Sequence, residues 1–102
     1  MSKIINITDK LSNEKPVIVI GEKKYTVDDS MRTLMKFEEL TSRATIDNMK
    51  KAIDLAFGEG AAAELNVESM SANNFKVLSI AIMASMMGTE YEEAEKRFQK
   101  SI

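Results

Sequence analysis

Cysteine and histidine are both absent from the 102 residues. Without cysteine there is no disulfide framework, no thiol nucleophile and no thiolate metal site. Without histidine the commonest general base and the commonest neutral metal ligand are missing. A basic excess is also lacking. Fourteen Lys and Arg stand against sixteen Asp and Glu, a net charge of -2, which is no footprint for a nucleic acid. No hydrophobic run is long. The most apolar stretch, residues 75–87, contains Lys76, Ser79 and Ser85. It is too short to cross a bilayer and reads as a buried helix. The first nine residues lack the apolar run of a signal peptide. These absences lead us to expect a cytoplasmic, non-enzymatic protein without cofactor or metal, and without nucleic-acid or membrane partners.

What is present is an ordinary globular composition, 44% hydrophobic and 29% charged. With a single proline in 102 residues, one domain covering 1–102 is expected. Size scaling gives a folded surface of roughly 5,800 Å², against roughly 16,500 Å² for the unfolded chain. One modest core fits that difference.

The predicted fold class is α+β and mainly helical: an N-terminal β-hairpin with up to three strands, packed on about four α-helices. Residues 3–7, Lys-Ile-Ile-Asn-Ile, read as an edge strand, and 8–15 as a loop. Pro16 opens Val17-Ile18-Val19-Ile20, and Lys23-Lys24-Tyr25-Thr26-Val27 follows a turn at Gly21, so 16–27 reads as a hairpin. Tyr25 and Val27 share one face of the second strand. From residue 30 to 101 the chain reads as helical. Asp28, Asp29 and Ser30 mark a helix start, and Leu34, Phe37 and Leu40 carry its stripe to about residue 40. A polar break at 41–45 precedes a second helix, about 45–57, with the stripe Ile46, Met49, Ile53, Ala56 and Phe57 and a terminating Gly58. Residues 59–65 read as a short helix held back by Gly60, and 66–70 as a loop. Ser71 caps a helix over 72–87 that is apolar nearly all round, so it must be covered on more than one side. Gly88 ends it. Thr89 and Glu92 then have capping-box spacing for a last helix with the seam Tyr91, Ala94 and Phe98.

Catalytic candidates are thin. Asp28 and Asp29 suit a helix N-terminus better than a metal site, which needs three or more converging ligands. Glu38-Glu39 and Glu92-Glu93 are adjacent pairs, so on a helix they diverge by about 100° and form no two-carboxylate site. Gly58-Glu59-Gly60 lacks the Gly-Lys-Ser/Thr of a phosphate loop. Lys23-Lys24 and Lys50-Lys51 lack aromatic interleaving, and no helix carries the basic residues of a recognition helix. The eight methionines say more. Methionine suits adaptable surfaces as well as irregular cores. Ile80, Met83, Met86 and Met87, with Tyr91 and Phe98, are the candidate surface for a client or for self-association.

The order of elements along the chain can be compared with known families. Val-Ile-Val-Ile-Gly-Glu-Lys-Lys-Tyr-Thr-Val (17–27) runs into a helix ending Lys-Phe-Glu-Glu-Leu (36–40). A helical segment ending Gly-Glu-Gly (58–60), an apolar helix and Gly-Thr-Glu-Tyr-Glu-Glu-Ala-Glu-Lys-Arg-Phe (88–98) follow. Over residues 3–98 this resembles the small tail assembly chaperones of long-tailed, siphovirus-type bacteriophages and prophages of Gram-positive bacteria. The resemblance implies a protein that coats the tape-measure protein before the tail tube polymerises and is absent from the finished virion. It also implies, for many members, a longer frameshifted form whose extension recruits tail tube protein. It assigns no residue a role. The rival expectation is a structural tail or head–tail completion subunit that self-associates and stays in the particle.

Overall fold

The computed structural model describes residues 3–100. Two strands, β1 (Val17–Ile20) and β2 (Lys23–Thr26), form an antiparallel hairpin pairing Val17 with Thr26 and Ile20 with Lys23. Five helices follow: α1 (Met31–Ser42), α2 (Ile46–Phe57), α3 (Ala61–Glu64), α4 (Ala72–Met87) and α5 (Tyr91–Lys100). The fold is thus a mainly helical α+β arrangement, as the sequence pattern predicts. Residues 1, 2 and 101, included in the expected arm and helical region, lie outside the described residues.

The expected third strand does not form. Residues 3–7 pair with no strand, and 3–15 are exposed throughout, with one short 3-10 turn at Thr8–Lys10. Strand preference alone cannot hold a strand, because its backbone groups need an adjacent edge. Here the intervening chain turns on itself instead: the Asn6 carboxamide oxygen accepts from the Thr8 N–H and hydroxyl.

Helix starts follow hydroxyl caps. Ser30, Thr45 and Ser71 each accept from the N–H three residues on, at 3.2, 3.1 and 3.0 Å. Helix α1 runs past the expected end at residue 40. The Thr41 hydroxyl donates to the Phe37 carbonyl and the Ser42 hydroxyl to that of Glu39, so polar residues extend the helix rather than break it. Helix α3 is only one turn long, and the Asp54 carboxylate on α2 caps it by accepting from the Ala62 N–H at 2.8 Å. Helix α4 ends in a Schellman turn. Gly88 takes the left-handed conformation, and the Thr89 N–H donates to the Ala84 carbonyl. That engagement displaces the expected capping box. The first intrahelical bond of α5 goes to the Glu90 carbonyl, and the buried Thr89 hydroxyl has no partner among the described residues.

Gly58, between α2 and α3, has φ 112° and ψ 154°, a region only glycine occupies readily. An added Cβ there would meet nothing. Gly58→Ala is therefore expected to cost about 1–3 kcal/mol through backbone strain alone. Urea unfolding would show this as a lower midpoint at unchanged slope.

The main core joins the hairpin to α1, α2 and α4 through Tyr25, Val27, Phe37, Ile53 and Ile82. The rings of Tyr25 and Phe57 stack at 4.8 Å. Helix α4 is covered on two sides, as an all-round apolar helix requires. Leu78, Ile82 and Met86, four residues apart, face the main core, while Ile80 and Ala84 meet Ala94, Tyr91 and Phe98 of α5.

Two polar clusters pin the hairpin's surroundings. Asp28 accepts from the hydroxyl of the buried Thr33 at 2.8 Å and from the Ser30 N–H at 3.1 Å, which hold its carboxyl below the usual carboxylate range. Glu64 accepts from Lys23 and from the Tyr25 hydroxyl, and its carboxyl is likewise held low. Groups whose pKa is lowered by folding stabilise the fold above their ordinary pKa. That contribution is lost as the pH falls through the lowered values. The thermal midpoint is therefore expected to drop below about pH 4. Asp28→Asn should be less stable than the parent at neutral pH and show a shallower acid slope, the two curves converging in acid.

Candidate functional site

The row Phe75, Ser79, Met83 and Met87 repeats every four residues along α4, so it forms a third stripe on that helix. Phe75 and Met83 pack against the edge of the main core. The row also lines a groove of about 670 Å³ between the α1–α2 pair and the α4–α5 pair. The opposite wall is the C-terminal half of α1, with Phe37, Glu38 and Thr41, and Met49 from α2. Ile80 on α4 and Ala94, Arg97 and Phe98 on α5 complete the lining. The volume falls in the range of ligand clefts, and most lining side chains are apolar.

The groove exists because two helix pairs pack well internally and poorly against each other. Helix α1 lies on α2, and α5 lies on α4. The hairpin wedges against α4 from one side, which leaves the other side open. The groove's polar features are few. Lys76 stands over the Phe98 ring, 5.6 Å from its centre. Glu38 marks the α1 rim and Arg97 the α5 rim. The Ser79 hydroxyl is buried in the α4 wall without a partner among the described residues, a donor and acceptor open to hydrogen bonding.

Of the six residues expected to form a partner surface, Ile80, Met83, Met87 and Phe98 line this groove. Met83 and Met87 are half-buried and supply its wall, whereas Ile80 is 2% exposed and serves as floor. Met86, by contrast, is 8% exposed and lies in the main core, because one residue along a helix turns a side chain about 100° from its neighbour Met87. Tyr91 packs at the α4–α5 seam, away from the groove lining. The contributions of Phe37, Met49 and Phe75 were missed. The four-residue row on α4 carried a signal for Phe75. Nothing local places Phe37 and Met49 opposite it.

Both acidic pairs, Glu38-Glu39 and Glu92-Glu93, are exposed. Glu92 and Glu93 lie on the exposed face of α5 with Lys96 and Arg97. Among the described residues no group of three acidic, His or Cys side chains is placed to hold a metal ion, and no helix is long and apolar enough to cross a membrane. Lys50 pairs with Glu68 at 3.5 Å on the surface. No protein-family model, curated protein or solved structure matches the chain.

Proposed function

We propose that this protein is a non-enzymatic tail assembly chaperone of a long-tailed phage or prophage, binding the unassembled tape-measure protein in the host cytoplasm. The observation that carries the reading is the open apolar groove walled by Met49, Met83 and Met87. A helical client presents apolar residues at three- and four-residue spacing, and a groove between helix pairs receives such a stripe. Methionine side chains repack at low cost, so one groove accepts successive, non-identical turns of a long client. Binding of this kind needs no catalytic group. It covers the client's apolar face until tail tube protein displaces the chaperone.

Co-expression with the neighbouring tape-measure protein, followed by affinity capture and sizing, tests the reading. A soluble complex with many copies per client is the expected result. An insoluble client beside a free chaperone would overturn it. A second reading, a self-associating tail or head–tail completion subunit, is favoured by the exposed Ile4, Ile5, Ile7 and Leu11. Proteomics of purified particles separates the two, since only the structural subunit is retained.

A further inference from the structure

The largest concentration of exposed apolar side chains lies outside the groove, on the N-terminal arm. Ile4 is 90% exposed, Ile5 72%, Ile7 50% and Leu11 69%. Burying such residues is what drives folding, so their display points to a partner. The surface area says how much is left over. The chain exposes 7,762 Å². Size scaling gives roughly 5,200 Å² for a folded body without residues 3–15 and roughly 2,200 Å² for those residues as undocked chain, about 7,400 Å² together.

The hairpin offers a matching vacancy in its pairing. Among the described residues the sheet has only two strands, so each keeps one unpaired edge. The edges are unequal. β2 carries Lys23 and Lys24, charges of the kind that deter strand addition. β1 is Val-Ile-Val-Ile with no charge, and its solvent face shows Val17 at 50% and Val19 at 61% exposure. Residues 3–7 have β-branched strand character but no strand partner among the described residues.

We infer that residues 3–7 are a strand donated to the free edge of β1 in a second copy of this chain. Alternation places Ile5 and Ile7 on one face and Ile4 on the other. One face of the donated strand therefore extends the Val17–Val19 surface, and the other extends the inner face of Ile18 and Ile20. Exchange between two copies is reciprocal, so each arm covers its partner's edge and every contact occurs twice. If about half of the roughly 840 Å² of residues 3–7 docks on equal host area, the reciprocal interface buries roughly 1,700 Å² in total. A stable dimer needs roughly 1,200–2,000 Å². The inference is independent of what the groove binds.

The absence of cysteine makes the test clean. Sedimentation of the full chain is expected to give twice the 11.4 kDa monomer mass at micromolar concentration. Successive N–H groups along a strand face opposite edges, so one of Ile4→Pro and Ile5→Pro removes a ladder N–H, in an arm whose residues 3–15 are all exposed. That variant should weaken dimerisation by about tenfold or more while leaving the thermal midpoint of the separated monomer unchanged. Ile5→Cys and Val19→Cys chains, mixed and treated with a short bismaleimide, should give a cross-linked heterodimer. A monomeric parent, Ile4→Pro and Ile5→Pro chains that both dimerise as tightly as the parent, or cross-linking only within an Ile5→Cys/Val19→Cys double variant would each overturn the inference. So would cross-linking of Ile5→Cys chains only with one another.

Discussion

Phe37→Ala is expected to lower the free energy of unfolding by about 3–5 kcal/mol. Phe37 is fully buried on α1, where it joins the main core and also backs the groove. Its removal forfeits the transfer free energy of a ring and leaves a space that neighbours refill only in part. The consequence is large because a domain of this size holds only about 5–15 kcal/mol of stability. In thermal terms the midpoint should fall by roughly 15 °C or more. Urea unfolding followed by circular dichroism measures it. A loss below about 1.5 kcal/mol would mean that the groove collapses onto the vacated site and that the two helix pairs are not rigidly held apart.

Met83→Glu/Met87→Glu is expected to abolish client binding while the chain stays folded. Both side chains are half-buried at the groove wall, so in the free protein their carboxylates can reach water. Two like charges four residues apart destabilise a helix by only about 0.2–0.5 kcal/mol. A bound apolar stripe would cover both, and leaving an unpaired charge buried costs several kcal/mol. A penalty of about 3 kcal/mol already means a loss of more than 100-fold in affinity. The matched Met83→Leu/Met87→Leu chain should retain binding, since volume and polarity are nearly kept. Capture of the tape-measure protein by the folded glutamate variant would remove the groove as the binding surface.

The hairpin and the central helices were legible because their signals are local. Val17 to Ile20 is a β-branched run closed by Gly21, and Ser71 and Gly88 bracket α4 with a cap and a left-handed stop. Ile53 and Ala56 followed from a period of 3.6. The failures have particular causes. The segment Lys-Ile-Ile-Asn-Ile has strand preference but pairs with neither strand of the sheet, and only long-range pairing could have shown that. Thr89 has the sequence of an N-cap, yet the end of α4 claims its N–H before α5 begins. Within the candidate surface, apolar type did not separate Met86 from Met87, whereas helical phase does. The groove itself was illegible, because Phe37 and Met49 reach Phe75 and Met83 only through the way two helix pairs diverge.

The seam between α4 and α5 has a kinetic consequence. It is small: Ile80, Ala84 and Ala94 are its buried residues, with Tyr91 and Phe98 at its borders. α5 docks mainly on α4, whereas α4 is anchored separately in the main core by Leu78, Ile82 and Met86. The last helix is thus a unit that opens before the rest of the protein does. Its amides should exchange with deuterium through local detachment, faster than those of α2 and insensitive to low urea. Each detachment uncovers the Ile80 floor and removes the Phe98 wall, so the groove widens in step with it. A client seated there against both helices would slow exchange in α5 most of all.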